Sequence, residues 1–496
     1  MGIPSLRLKH SVLESLTVLL FTTLGFLVMG YHPGLEDDGV YLSAVKANLN
    51  PALFPHDSEF FRVQMQATCF ADWMAHFVQW TGIPLAWAEL LWQFASLYFI
   101  LWASKRIAAR IFAEKHAQWA AVAMVAAMLT LPVAGTALTI ADQHLHPRNM
   151  TTALILLAVS RIFEGKLRHA IPLLVLAFLL HPIMAVLGAS FCVFFALSMK
   201  NAVPSRVPAW QNAAMAAPPL WWIFDPPSPS WRKALDAKDY LHLGRWAWYE
   251  WLGALAPLLL FWLLWRVARR HAATQLAQFA LAVLAYGVFQ QIVAVFLLTP
   301  ESLIRFTSLQ PMRYLQLVYL FMALTAGGLL GQFLLKSNAW RWAIYLLMLN
   351  GGMFLVQWAN FDEGTHLEMP WTVNANPWLQ TFDWIRTNTP ADAYFALDPR
   401  YLAAPGEGFR SFRALAERSQ LADAIKDTSV VTQVPSLASE WDQQQQAMDG
   451  WADFALADFQ RLNRTFGVSW AVVSDPAPAG LVCLWHNGKL SVCRIP

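Results

Sequence analysis

Several runs of about 20 consecutive apolar residues, the first at 12–30, constrain this chain more than any other feature. Such a run crosses the bilayer hydrocarbon as a helix, because a helix satisfies its own backbone polar groups. The composition agrees: 57% hydrophobic and only 14% charged, where soluble proteins carry about 25% charged residues. The 25 Trp and 32 Phe suit lipid-facing and interfacial positions. The first run has no small-residue cleavage site and reads as a signal anchor.

The pattern predicts nine spans, at 11–30, 84–104, 117–140, 147–163, 170–198, 247–265, 274–298, 313–335 and 341–358. The loops between them sort by charge. One side holds 14 basic residues, among them Arg7, Lys105, Arg266 and Arg341, with two acids, Glu114 and Glu164. The positive-inside rule makes that side cytoplasmic, N-terminus included. Loops 31–83, 199–246 and 299–312 and the tail from 359 then lie outside, which for a bacterial inner membrane means the periplasm. Two spans are irregular. Arg148 and Arg161 enclose only 12 residues, so that helix is short or its arginines snorkel. Span 170–198 contains His181-Pro182, where proline kinks or splits the helix.

The formal charge of +3 divides into +9 over residues 1–358 and −6 over 359–496, a transmembrane domain followed by an acidic soluble one. Neither has the clustered basic face that nucleic acid requires. In the tail, PWLQTFDWIRTNTP reads as a helix with a Thr-Pro stop and 393–397 as a strand. FRALAERSQLADAIKD reads as a second helix, 468–475 as a buried strand, and LVCLWHNGKLSVCRI as a hairpin around Asn487-Gly488. This is a small α/β domain. A two-residue turn leaves Cys483 and Cys493 one residue off register, and a three-residue turn sets them opposite, so a bridge between them stays open. Cys69 and Cys192 have no evident partner.

Candidate chemistry gathers in the outer segments. Glu36, Asp37 and Asp38 stand just past the first span, in a long loop with amphipathic stretches that suit the membrane interface. Carboxylates there suit a general base or a divalent cation such as Mg or Mn. They equally suit a solvated loop, with Asp38 capping a helix. Asp142, His144, His146 and Arg148 form a second cluster, in ADQHLHPRN. The first three have a metal-ligand composition and Arg148 can clamp a phosphate; the bland alternative is a polar turn before a helix begun by Pro147. Arg305 and Arg313 are outer-side arginines that call for a negative partner, whether a lipid phosphate, Glu301 or the first-loop acids. His181 falls about 16 Å into its span at 1.5 Å per residue, a depth where an ionisable group is either functional or bonded to carbonyls freed by Pro182. Arg410, Arg413, Arg418 and Lys426 recur at a helical period, facing the membrane cavity or pairing with Glu417, Asp423 and Asp427. The sequence lacks a P-loop, an HExxH and a Cys-x-x-Cys motif.

First-loop acids, a long outer loop, many spans and an external C-terminal domain together resemble the GT-C superfamily of membrane glycosyltransferases. DQHLHPRNMTTALILLAVSR, LLHPIMAV, QPMRY, WIRTNTPADAYFALDP and FRSFRALAERSQLADAIKD look like uncharacterised bacterial proteins of that fold. The resemblance implies an inverting transfer of sugar from a polyprenyl-phosphate donor in the lipid to a glycan, lipid or protein acceptor outside. The first-loop base maps to Asp37 or Asp38. Glu36, Arg148, Arg305, Arg313 and His181 are then candidates for substrate contact. A lipid-carrier flippase or transporter, and a non-catalytic scaffold with an external binding domain, are the rivals. An outer cavity that joins Asp37 and Asp38 to Arg313 and opens sideways to lipid supports the enzyme, a path reaching the cytoplasmic side supports transport, and a filled cavity supports the scaffold.

Overall fold

The computed structural model describes residues 3–199, 227–361, 364–373 and 375–496. Among them, six helices are long and apolar enough to span a membrane: Ser11–Met29, Leu85–Ile111, Trp248–Arg270, Thr274–Leu298, Pro311–Leu335 and Ala339–Asn360. The last of these is inside out by soluble standards. Its buried residues are Asn350 and Gln357, while Trp340, Leu347, Met348 and Leu355 are exposed. A helix with polar residues inward and large apolar ones outward has hydrocarbon for a solvent.

The other three expected spans are different. The 117–140 run is helical only over Lys115–Ala127. Leu131-Pro132 disfavours helix, and the chain turns there into a two-stranded hairpin, Pro132–Val133 against Leu138–Thr139. Pro147–Phe163 is a 17-residue helix, mostly buried. The 170–198 run is two helices, Leu167–Leu180 and Pro182–Ser198, meeting at His181. Phe195 lies 4.5 Å from Phe163 at the far end of the bundle, so the second helix doubles back along the first. The expected outer loop 199–246 therefore starts from that far end; its residues 200–226 lie outside those described.

The bundle packs closely where small residues allow it. A Cβ on Gly327 would stand 2.5 Å from the Ala120 carbonyl, so only glycine lets the Pro311–Leu335 and Lys115–Ala127 helices approach so near. The first loop carries three helices, Asp38–Leu49, Glu59–Met65 and Phe70–Thr81.

The C-terminal domain has a five-stranded sheet in the order Ser419–Gln420, Tyr394–Ala396, Trp470–Ser474, Leu490–Arg494, Val482–His486. The first three strands are parallel and the last two antiparallel. The expected second helix splits into Phe412–Ala416, the short strand, and Lys426–Gln433. The hairpin is present, and Cys483 and Cys493 are bridged. A bulge between Cys483 and Trp485 absorbs the extra residue and sets the cysteines opposite.

This domain is stitched to the first loop by backbone. Glu36 donates its N–H to the Phe409 carbonyl at 2.8 Å, and Ser411 donates to Gly34 at 2.8 Å. Gly34 has φ +81°, and a Cβ there would meet Leu415 at 2.6 Å. Conformation and contact both demand glycine at this seam.

Candidate functional site

Two helices of the bundle begin with the same pair of residues. His146-Pro147 and His181-Pro182 each put proline in the first turn, where its missing N–H costs nothing. Each histidine caps its own helix: His146 Nδ1 accepts from the Arg148 N–H at 2.9 Å, and His181 Nδ1 from the Met184 N–H at 3.4 Å. The two rings lie 5.9 Å apart. Two helix N-termini thus converge, bringing partial positive charge to one place. His181 stands at the end of the bundle where the first loop docks, not in mid-membrane. The depth count assumed one continuous helix, and Pro182 divides it.

The caps also fix the histidine tautomer. With Nδ1 accepting, the proton sits on Nε2, and His146 Nε2 donates it to Asp37 Oδ2 at 3.2 Å. Asp37 Oδ1 accepts from Lys426 Nζ at 2.9 Å, and Glu36 Oε2 lies 3.5 Å from the same ammonium. Burial alone would raise the Asp37 pKa; Lys426, then His146 and Arg148, hold it well below the usual carboxylate range. Asp37 is a fixed anion with two donors on it.

Asp38 points the other way. It is 2% exposed and accepts the Gly34 N–H at 2.8 Å. Burial, and then Glu89, push its pKa well up. It closes the turn that carries Asp37, and it does not share the site. Glu36 does, from a left-handed backbone at φ +47°.

Asp37, Glu36, His181, Arg313, Lys238 and Lys426 line one cavity of about 380 Å³. Arg313 enters from the first turn of the Pro311–Leu335 span. Among the described residues it has no ion pair, and its Nε is buried without a hydrogen-bond partner. Lys238 is held by the Ile425 carbonyl. Burial, then the nearby Lys426, bring its pKa down to about 8. Nine described non-glycine residues have positive φ, and four of them, Glu36, Ala137, Gln310 and Phe409, line this cavity. Each such backbone costs about 1–3 kcal/mol and persists where the surroundings enforce it, commonly at functional sites.

The second sequence cluster forms a rigid frame behind the cavity. Arg148 grips both oxygens of Asp142, by Nε at 3.0 Å and by Nη2. Burial opposes ionisation of Asp142, but Arg148 brings its pKa to about 2. Asn149 and Gln93 hold the Asp142 backbone, and Gln316 holds the Ile140 carbonyl at 2.7 Å. The metal-ligand expectation for Asp142, His144 and His146 does not fit this arrangement. Asp142 is consumed by Arg148, and both nitrogens of His146 are engaged. No group of three potential ligands is assembled among the described residues. Arg148 stands behind the wall rather than on it. Arg305 lies with its guanidinium 5.5 Å from the Trp231 ring and is not on the cavity wall.

Residues 376–447 match a family described as Domain of unknown function (DUF6798). The matched segment carries Lys426 and covers the domain's first helix and its docking face. No curated protein matches the chain.

Lys426 is the residue that sequence reasoning underrated. The helical period of Arg410, Arg413, Arg418 and Lys426 left two readings open, a face on the membrane cavity or pairing with Glu417, Asp423 and Asp427. In fact Arg410 pairs with Glu368, Arg413 with Asp427 at 2.7 Å, and Arg418 with the Thr389 carbonyl at 2.7 Å. Lys426 alone of the four reaches the cavity.

Proposed function

We propose that this membrane protein is a glycosyltransferase of GT-C type, moving a sugar from a polyprenyl-phosphate donor to an acceptor hydroxyl on the extracytoplasmic side. One observation carries the reading: a single cavity at one end of the spanning helices joins an ionised carboxylate, Asp37, to Arg313, an arginine without an ion pair among the described residues. A lipid-linked donor presents its phosphate at that level, and an acceptor arrives from water.

In this reading Arg313 and Lys238 hold the phosphate, aided by the two converging helix N-termini. The acceptor oxygen attacks the anomeric carbon as the bond from that carbon to the phosphate oxygen breaks. The electron pair leaves with the polyprenyl phosphate, and the cationic wall stabilises its charge. The acceptor proton passes to Asp37. A carboxylate held so acidic is a weak base, so the proton moves late, once the attacking oxygen has become acidic. His146 keeps the accepting carboxylate oriented.

The test separates the neighbouring acids. Asp37→Asn should lower transfer by about 10²–10⁴, read as lipid-linked sugar accumulating in a deletion strain complemented with the variant. Asp38→Asn should transfer normally, because Asn still accepts the Gly34 N–H and Asp38 is already inclined to be neutral. Full transfer by Asp37→Asn would end the proposal. The orientation follows the charge bias of the loops. A lone cysteine at the exposed Ser436 should react with an impermeant thiol reagent in intact spheroplasts; labelling only after permeabilisation would reverse it.

A further inference from the structure

A second cavity, of about 630 Å³, lies beside the first and shares Glu36, Ala137, Leu138 and Tyr240 with it. Its volume is within the roughly 300–1,000 Å³ of small-ligand sites. Its walls differ from those of its neighbour. No lysine or arginine is among the described residues lining it; its polar wall includes the carboxylates of Glu36, Asp142 and Glu250, the His144 ring, the Gln143 amide and the phenols of Tyr240, Tyr249 and Tyr319. His144 is 2% exposed, and neither ring nitrogen has a partner among the described residues. Burial holds its pKa near 3, so the ring is neutral, with one N–H to give and one lone pair to receive.

We infer that this cavity binds an uncharged polyhydroxylated ligand, a neutral saccharide. The wall has acceptors in its carboxylates, both roles in His144 and the phenols, and, among the described residues, no lysine or arginine to hold an anion. The carboxylates are themselves already engaged, which disfavours a cationic ligand. Asp142 is held by Arg148, Glu36 faces Lys426, and Glu250 accepts the Ala247 N–H at 2.7 Å. Hydroxyl groups suit such part-used acceptors, since each brings one donor and needs no countercharge. The Tyr319 hydroxyl donates to the Gly253 carbonyl at 3.0 Å and has the Ala134 backbone as a second hydrogen-bond neighbour, so it fixes the wall. Glu36 lies on both walls, so a saccharide here ends within reach of the Asp37 cavity. Its role as the sugar acceptor rests on the glycosyl-transfer reading; the binding site itself does not.

The experiment uses full-length protein in lipid nanodiscs and saturation-transfer NMR. The probes are neutral mono- to trisaccharides, with uronate and amino-sugar oligosaccharides as the charged counterparts. Neutral members should bind and the charged ones should not. Tyr249→Ala and Glu250→Gln should each weaken binding at least about tenfold. Both should fold: Tyr249 is 61% exposed, and Gln still accepts the Ala247 N–H. Absence of neutral binding, equal or better binding of a charged class, or wild-type binding by both variants overturns the site. Asp37→Asn protein separates the two readings. Saccharide binding with full transfer would leave this site and remove the transferase reading. Loss of transfer without saccharide binding in wild type would do the reverse.

Discussion

The two sides of Asp37 are built in opposite ways. On the bundle side, His146, Asp142 and Arg148 come from one stretch of seven residues, paired with one another and buried. On the domain side, a single lysine arrives from a sequence separation of 389 and meets Asp37 in a part-exposed cavity. The frame is local, rigid and self-sufficient; the counter-charge is remote and borrowed. The contrast teaches that the bundle sets where the carboxylate is, while the C-terminal domain sets what charge it can carry.

The strongest way to break this comparison is to remove the borrowed charge. Lys426→Met takes away the leading cation that keeps Asp37 ionised, so the Asp37 pKa should rise. On the transferase reading, the acid limb of kcat should then move to higher pH, measured on the donor that accumulates in the deletion strain. An acid limb unmoved from wild type would mean that the local frame alone sets the charge. A smaller effect is expected at the seam. Gly34→Ala forces a side chain into a left-handed backbone and against Leu415, which should destabilise by about 1–3 kcal/mol. If the two regions act as one unit, thermal unfolding of domain and bundle should shift together; a wild-type melting curve would show a seam that does not bear on either. The smallest effect concerns Lys238. Its charge is lost as pH rises through about 8, so on the transferase reading kcat/KM for the donor should decline above that pH by at most about tenfold per unit. Lys238→Met should lack this limb and be lower below it. A limb that persists in the variant assigns it to another group.

The local frame was partly legible in the sequence and the remote charge was not. Asp37 stood out as one of three carboxylates at the end of an apolar run, a pattern that a solvated loop or a helix cap would share. Arg313 stood out because it opposed the charge bias of its loop. Asp38 was indistinguishable from Asp37, since adjacent residues share every sequence property and differ only in the direction their side chains take from the turn. His181 was misplaced because depth was counted along one helix where Pro182 makes two. Of the nine expected spans, six correspond to long apolar helices among the described residues, because apolar length does not report where Pro132 stops a helix, nor that Pro147–Phe163 is enclosed by protein. Asp142 looked like a metal ligand because its grip by Arg148 depends on a loop geometry set by Asn149, Gln93 and Gln316. Lys426 could not be singled out at all, because its partner is nearly the whole chain away.

That separation has a consequence in time. Contacts between chain ends form late, since the closing loop must be paid for in entropy before the contact rewards it. During synthesis the first loop, with Asp37, emerges hundreds of residues before Lys426 exists. Throughout that interval the bundle can be inserted and its local frame assembled while the carboxylate lacks its cation and the cavity lacks a wall. The finished cavity is therefore a mark of a finished chain: a product truncated between the last spanning helix and Lys426 keeps the bundle's side of the cavity and lacks the wall and the cation that the C-terminal domain brings.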